Sequence, residues 1–353
     1  MMKIAYIVPS LANSGPVKVV HQLVESLYKE HEIDVYYFNI REDREKLTFN
    51  VPTYQIDFFD KIEIDRYDIV HTHGLKPDAY IWWHQNDIHK AKTVTTLHNY
   101  VKEDLAFNYG KIKSFFLVKL WNLMTSRDDQ IVTLSKDAVK YYRRFWRNQN
   151  ITYVYNGIPQ VEAVAKNNDK ENHEMIKIGA IASAGGINRR KGIDQVIKAL
   201  PELPNYTFYI VGKETEESNN LKILADQLKV LDRVKFLGYH SDIKTFISEM
   251  DLFVVSPRSE GFSLALQEIV RYKTPVVCSD ITIFRELFTD KEVRFFTLDD
   301  IQSLISAIKD VSSHNEEMIK RAYEKFVANY TTEKMAEKYL NVYKSLVGRG
   351  QNE

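Results

Sequence analysis

Cysteine, net charge and long hydrophobic runs are scarce or absent in this sequence, and each absence excludes a class of protein. There is one cysteine, Cys278. No internal disulfide can form, and the chain fits a reducing compartment such as the cytoplasm. In its setting, TPVVCSD, the cysteine reads as a small core residue beside a strand. The 48 basic and 48 acidic side chains cancel to +0. Nucleic-acid binding needs a basic field, so no nucleic-acid partner is expected. A local basic patch stays open. No apolar run reaches the roughly 18 residues that span a bilayer. The N-terminal MMKIAYIVPSLANSG has too short an apolar run for a signal peptide and reads as a buried strand. The chain is expected to be soluble or to sit on a membrane surface.

What is present is globular. Hydrophobic residues make up 44% and charged residues 27%, which excludes disorder. A chain of 353 residues fits two domains of about 150 residues each. Short apolar runs alternate with longer helical patterns, which predicts parallel sheets covered by helices. In the first half the expected strands are KIAYIVP (3–9), IDVYYF (33–38), YDIVHTH (67–73), KTVTTLH (92–98), QIVTLS (130–135) and ITYVYNG (151–157). A helix with Val20, Leu23, Val24 and Leu27 on one face follows the first of them. The polar stretch 160–174 lacks any period and reads as a linker. A second series then runs through IKIGAIAS (176–183), TFYIVG (207–212), VKFLG (234–238), DLFVVSP (251–257), TPVVCSD (274–280) and VRFFTL (293–298), with helices between them. The expected domains are 1–165 and 174–332, doubly wound and facing each other across a central cleft. A final helix, 333–350, is expected to pack back onto the first.

Five constellations could carry chemistry. The first is SPRSEGFSLALQE (256–268), where a strand end leads through Glu260 and Gly261 into a helix containing Glu268. Free backbone N–H groups and the positive dipole end at such an entry suit a pyrophosphate. Gly261 permits close backbone approach. Glu260 could then bind sugar hydroxyls, and Glu268 a ribose diol. Equally, a helix dipole favours an acid at Glu260, and Glu268 could be an ordinary exposed residue. The second is INRRKGIDQVIKAL, where Arg189, Arg190 and Lys191 stand at a helix entry against the dipole, as a bound polyanion would require; a solvated basic turn is the alternative. The third is Ser14-Gly15-Pro16 after the first strand, a turn that could hold phosphate or acceptor or be merely structural. The fourth is His71, His73 and His98 at strand ends. A metal there would want a further ligand, and only Asp68 is near in sequence, so no metal site is expected. The fifth is the basic-aromatic stretch 111–147, which could lie on an anionic membrane surface or pack with its charges solvated.

In their order, these segments resemble the retaining glycosyltransferases of family 4. The resemblance rests on DIVHTHG, TTLHN, IVTLSKDAV, YVYNGIP, KGIDQVIKAL, FYIVGK, VKFLGY and MDLFVVSPRSEGFSLALQEIVRYKTPVVCSD, which span residues 3 to about 287. It implies the GT-B fold, two Rossmann-like α/β domains. It also implies site residues. Glu260 would contact the donor sugar, the backbone of Gly261, Phe262 and Ser263 would meet the donor, and Glu268 would bind the ribose. Lys191 would sit on the donor diphosphate and His98 beside the transferred sugar. Gly15 would lie near phosphates and acceptor, and Gly238 and Tyr239 would flank the base. The sequence departs from the family at SAGGIN (183–188), where an arginine is usual, so Arg189 or Arg190 would substitute. It departs again at SGP, where a double glycine and a following glutamate are replaced.

The implied function is transfer of a sugar from a nucleoside diphosphate, UDP being favoured, to a hydroxyl with retention. The implied acceptor is a saccharide or lipid-linked saccharide in bacterial surface-polysaccharide synthesis. No cofactor or metal is required. The expected location is the cytoplasm, peripheral to the inner face of the membrane if 111–147 binds lipid. The alternatives are a sugar-nucleotide epimerase or a phosphorylase of the same fold, or a non-catalytic sugar-nucleotide-binding subunit.

Overall fold

A computed structural model describes residues 1–40, 45–161, 175–182, 186–240, 242–313 and 316–349. The chain divides into two compact units, Met1–Pro159 with Asn329–Glu353, and Gln160–Ala328. Most of the stretch read as a linker, 162–174, lies outside the described residues, as does 183–185 within SAGGIN.

The first unit runs β1 (Lys3–Ser10), α1 (Gly15–Leu27), β2 (Glu32–Asn39), β3 (Thr53–Gln55), β4 (Ile69–His73), α2 (Leu75–Trp83), β5 (Lys92–Leu97), α3 (Val101–Tyr109), α4 (Lys111–Met124), β6 (Gln130–Thr133), α5 (Lys136–Arg143) and β7 (Ile151–Tyr153). Its strands form one parallel sheet in the order β3-β2-β1-β4-β5-β6-β7. The second unit runs β8 (Ile176–Ile181), α6 (Ile193–Ala199), β9 (Tyr206–Val211), α7 (Glu216–Gln227), β10 (Val234–Phe236), α8 (Ile243–Glu249), β11 (Leu252–Val255), α9 (Leu264–Arg271), β12 (Val276–Ser279), α10 (Thr282–Leu287), β13 (Arg294–Phe296), α11 (Ile301–Ser313) and α12 (Glu316–Asn329). Its parallel sheet has the order β10-β9-β8-β11-β12-β13. Each sheet is therefore doubly wound. The strand order reverses between β1 and β4 in one and between β8 and β11 in the other. Open α/β sheets bind ligands beyond the carboxyl ends of the strands at such a reversal.

The last helix, α13 (Thr332–Arg349), belongs to the first unit. Met335, Ala336, Tyr339, Tyr343 and Leu346 enter the core that α1 makes with β1. The returning chain passes so close to Gly157 that a Cβ there would stand 2.1 Å from the carbonyl oxygen of Thr331. Only glycine fits that approach.

The sheet's other face is closed by α2 and α4, and a buried carboxylate joins them. Asp78 on α2 accepts hydrogen bonds from Thr72 Oγ1, from Thr95 Oγ1 at 2.7 Å and from Trp121 Nε1 at 2.6 Å. Burial pushes the Asp78 carboxyl up to about 6 from 3.8, and these three donors only partly offset it. A folded-state value above the unfolded one adds stability below pH 3.8 that is lost as pH rises through about 6. The shift corresponds to roughly 3 kcal/mol. In Asp78→Asn, which also loses the Trp121 bond, urea unfolding from pH 4 to 7 should lack this downward slope. An unchanged slope would mean that another group produces it.

Candidate functional site

The donor-type motif is built on the loops that follow β8 and β11, the two strands at the reversal of the second sheet. After β11 the chain turns through Ser256 to Phe262, and Ser263 caps α9. Ser263 holds the left-handed φ of 72°, and its hydroxyl accepts from the N–H of Leu266 at 3.3 Å. A non-glycine residue in that region is strained, and such strain gathers at ligand sites. Phe262 is buried, and Gly261 before it is half-buried. Glu268 lies half-buried on α9.

After β8, Arg189–Lys191 form a single 3₁₀ turn rather than the start of the helix. α6 begins at Ile193, behind Gly192. That turn carries Lys191 to Glu260, with Nζ 2.6 Å from Oε1 and each side chain only 14% exposed. Burial alone would raise the Glu260 carboxyl. The charge and hydrogen bond of Lys191, the charge of Arg190 and the Gly261 N–H outweigh it and hold the carboxyl below its usual value. Glu260 is therefore an anion across the neutral range, neutralised by a cation it touches.

Residues that no local pattern marks hold the two loops together. Arg258 forms a two-toothed pair with Asp194 on α6, Nη1 to Oδ1 at 2.8 Å and Nη2 to Oδ2 at 3.0 Å. It also binds Asp299 and donates from Nη1 to the carbonyl of Arg189 at 3.0 Å. Its own N–H donates to the carbonyl of Arg190 at 2.8 Å. Ser256 Oγ donates to the carbonyl of Gly192, and Gln195 Nε2 to the carbonyl of Ser256, both at 3.0 Å. Planar guanidinium against planar carboxylate fixes orientation as well as charge. Gly238 and exposed Tyr239 follow β10, which β9 and β8 separate from β11 in the sheet.

The first unit places its candidates at its own reversal. Gly15 opens α1 after β1, and a Cβ there would meet nothing within 4 Å. Packing does not demand glycine at this position. His73 ends β4 and His98 follows β5, with Nδ1 of His73 2.8 Å from Nε2 of His98. His71 is bound by Tyr343 Oη at 2.7 Å and Thr96 Oγ1 at 2.8 Å. Burial lowers the His98 imidazole to about 3 and lowers His71 and His73 as well, so all three are neutral near pH 7. The H-x-H pattern is thus explained by a hydrogen-bonded histidine network. Among the described residues no three His, Cys, Asp or Glu side chains form a metal-sized cluster.

The stretch 111–147 does not behave as one surface. In α5 and just beyond it, Tyr142 and Trp146 are buried. Trp146 Nε1 donates to Thr125 Oγ1 at 2.8 Å. This corrects the expectation that its aromatics face a membrane: they fill the core beneath β6 and β7. In α4, by contrast, Ile112, Phe115, Phe116, Leu120 and Leu123 are exposed. No helix among the described residues is long and apolar enough to cross a membrane.

Comparison with known proteins bears on both units. The family described as "Glycosyl transferases group 1" matches residues 164–331, and "Glycosyltransferase Family 4" matches residues 13–160. The O-antigen biosynthesis glycosyltransferase WclY of Escherichia coli is 33% identical over 351 residues, 98% of this chain and 99% of WclY. The lipopolysaccharide core biosynthesis glycosyltransferase LpsE of Rhizobium meliloti is 28% identical over 169 residues, 47% of this chain and 49% of LpsE. Anabaena HepE, solved with UDP and glucose, has the same fold, with a TM-score of 0.80 at 15% identity over 98% of this chain and 100% of HepE.

The loop clamp yields a prediction. Gly192 holds a φ of +64°, and a Cβ there would stand 2.0 Å from the carbonyl oxygen of Ser256. Gly192→Ala combines about 1–2 kcal/mol of backbone strain with that clash. Chemical unfolding should register a loss at least that large. Wild-type stability in the variant would show that the clamp is loose.

Proposed function

We propose a donor, an acceptor class and a chemical course for this chain, which belongs to the glycosyl transferases group 1 family. It is a glycosyltransferase with the GT-B fold, and its relatives act in bacterial surface-polysaccharide synthesis. Glycosyltransferase relatives that match the whole chain favour transfer over the epimerase, the phosphorylase and the non-catalytic subunit. The proposal is that a hexose-type sugar passes from UDP to a hydroxyl of a saccharide or lipid-linked saccharide, with retention at the anomeric carbon.

The observation that carries this reading is the Lys191–Glu260 pair at the β8–β11 reversal. A buried cation and anion in contact suit a ligand with anionic and hydroxyl-rich parts. On donor binding, Lys191 turns to the diphosphate, with Arg190 beside it, and Glu260 accepts from sugar hydroxyls. Glu268 takes the ribose, the backbone of Gly261, Phe262 and Ser263 lines the phosphates, and Gly238 and Tyr239 flank the base. His98 is assigned to the transferred sugar, and Gly15 to the phosphates and acceptor. UDP is favoured because HepE, of the same fold, was solved with it.

The chemistry follows from charge. As the bond from the anomeric carbon to the diphosphate oxygen breaks, negative charge grows on the leaving group. Lys191 and Arg190 stabilise it by preorganised electrostatics. The acceptor oxygen attacks on the same face, and its proton goes to the departing phosphate oxygen. Glu260 accepts from sugar hydroxyls and takes no part as a nucleophile. No metal or cofactor is assigned a part.

The helical pair α3–α4 supports a membrane-side acceptor. Phe107, Tyr109, Ile112, Phe115 and Phe116 are exposed, with Lys111, Lys113 and Lys119 among them. Exposed apolar side chains interspersed with lysines suit an anionic lipid surface, where each lysine adds about 1 kcal/mol.

Two outcomes are expected. UDP-sugars should raise the Tm of the whole chain, and one should support transfer that persists in excess chelator. Lys191→Ala should lower kcat about 100-fold or more. Full activity in that variant, or no response to any nucleotide sugar, would sink the donor reading. Separately, the chain should float with anionic liposomes at low salt, and Phe116→Asp with Ile112→Asp should abolish flotation. Binding unaffected by those changes removes α4 as the contact.

A further inference from the structure

His73 and His98 close a chain of buried polar groups on one face of the first sheet. Nδ1 of His73 lies 2.8 Å from Nε2 of His98. Two neutral imidazoles at that distance share one proton, and it has two possible owners. If Nε2–H of His98 donates, His73 must carry its own proton on Nε2. If Nδ1–H of His73 donates, His98 must carry its proton on Nδ1.

The surroundings decide between them. Nε2 of His73 is buried and has no hydrogen-bond partner among the described residues. A buried N–H without an acceptor is rare and costs about 1–3 kcal/mol. A bare ring lone pair at the same place is also unsatisfied, but orphaned acceptors are tolerated more often than orphaned N–H donors. The ring also packs against two others. The His71 ring centroid is 4.2 Å away and that of Tyr6 6.2 Å. His71 is itself tied to Tyr343 and Thr96. The proton of His73 therefore sits on Nδ1.

We infer that His73 is a positioning residue: by donating from Nδ1 to Nε2 of His98, it fixes His98 as the Nδ1–H tautomer. His98 is the half-buried member of the pair, and its Nδ1 edge is the one turned away from His73. That edge then presents a hydrogen-bond donor and no basic nitrogen. The consequence for catalysis rests on the proposed place of His98 beside the transferred sugar. There it donates to a sugar oxygen and takes no proton from the acceptor. This agrees with delivery of that proton to the departing phosphate.

The tautomer is measurable without any substitution. In the whole chain labelled with ¹⁵N histidine, the ring-nitrogen shifts of His98, assigned by their loss in His98→Gln, should report a proton on Nδ1 at about pH 7. A proton on Nε2 overturns the inference. Two variants of similar size then separate donor from bulk. His73→Asn keeps an N–H donor near the place of Nδ1, whereas His73→Asp substitutes an acceptor. The Asn variant should retain the Nδ1–H form of His98 and most of kcat/KM. The Asp variant should place a proton on Nε2 and lower kcat/KM about 100-fold. Equal rates in the two would overturn the positioning role. If neither variant folds, the wild-type spectrum still decides. An Nδ1–H tautomer in a chain whose His98→Gln variant transfers at full rate leaves His73 as assigned and refutes only the place of His98 beside the sugar.

Discussion

A lysine and a glutamate that are mostly withdrawn from water touch in the second unit, and the loops around them take their form from the need to hold that pair. Lys191 and Glu260 lie 2.6 Å apart, each 14% exposed. Withdrawing two charges from water costs several kcal/mol per ion, and mutual attraction offsets it only when the geometry is held. Holding falls to neighbours rather than to the pair. Gly192 lets the Lys191 turn reach the carbonyl of Ser256, and Gln195 and Ser256 lace the two loops with hydrogen bonds. Arg258 ties both loops to Asp194 and Asp299. In the proposed donor complex, a diphosphate that replaces Glu260 as the partner of Lys191 would meet a cation already stripped of most of its water. Little solvent reorganisation then remains for the moment of reaction.

The first unit works with neutral groups instead. One face of its sheet carries Tyr6, His71, His73 and Thr96, closed by Tyr339 and Tyr343 of α13. His71 and Tyr343 are 272 positions apart in sequence. The polar interior therefore forms only once the far end of the chain has returned, and the second unit is an insertion within the first. Neutrality here follows from burial, which lowers every histidine of the cluster. Directional hydrogen bonds, not charges, set the positions of these rings.

This contrast explains what was legible in the sequence. Apolar runs mark buried strands, so β1, β2 and β4 to β13 can be read directly. β3 cannot, because Thr53–Gln55 is three exposed residues on a sheet edge. The helix of α7 begins five residues before its apolar pattern, at a capping box of Thr215 and Ser218. Glu260 and Gly261 are legible because strand, loop and helix entry are contiguous. Arg258 is not, since its partners lie 64 and 41 residues away and leave no local pattern. The basic-aromatic stretch misleads in part because periodicity locates a face without saying what covers it. On α5 that cover is the protein's own core, whereas on α4 the outward face stays bare.

The histidines show most plainly where pattern ends and packing begins. A sheet that needed only to fold would fill β4 and β5 with aliphatic residues, as its neighbours do. Here the buried positions include His71, Thr72, His73, Thr95 and Thr96. Aliphatic residues would place no polar group out of water, whereas each of these requires a partner or costs about 1–3 kcal/mol. Nearly all have one. Thr72 and Thr95 turn to Asp78 on one face, and His71 and Thr96 turn to the tyrosines of α13 on the other. The atom left over is Nε2 of His73. A network that keeps a proton on Nδ1 of His73, aimed at His98, leaves its orphan at that atom.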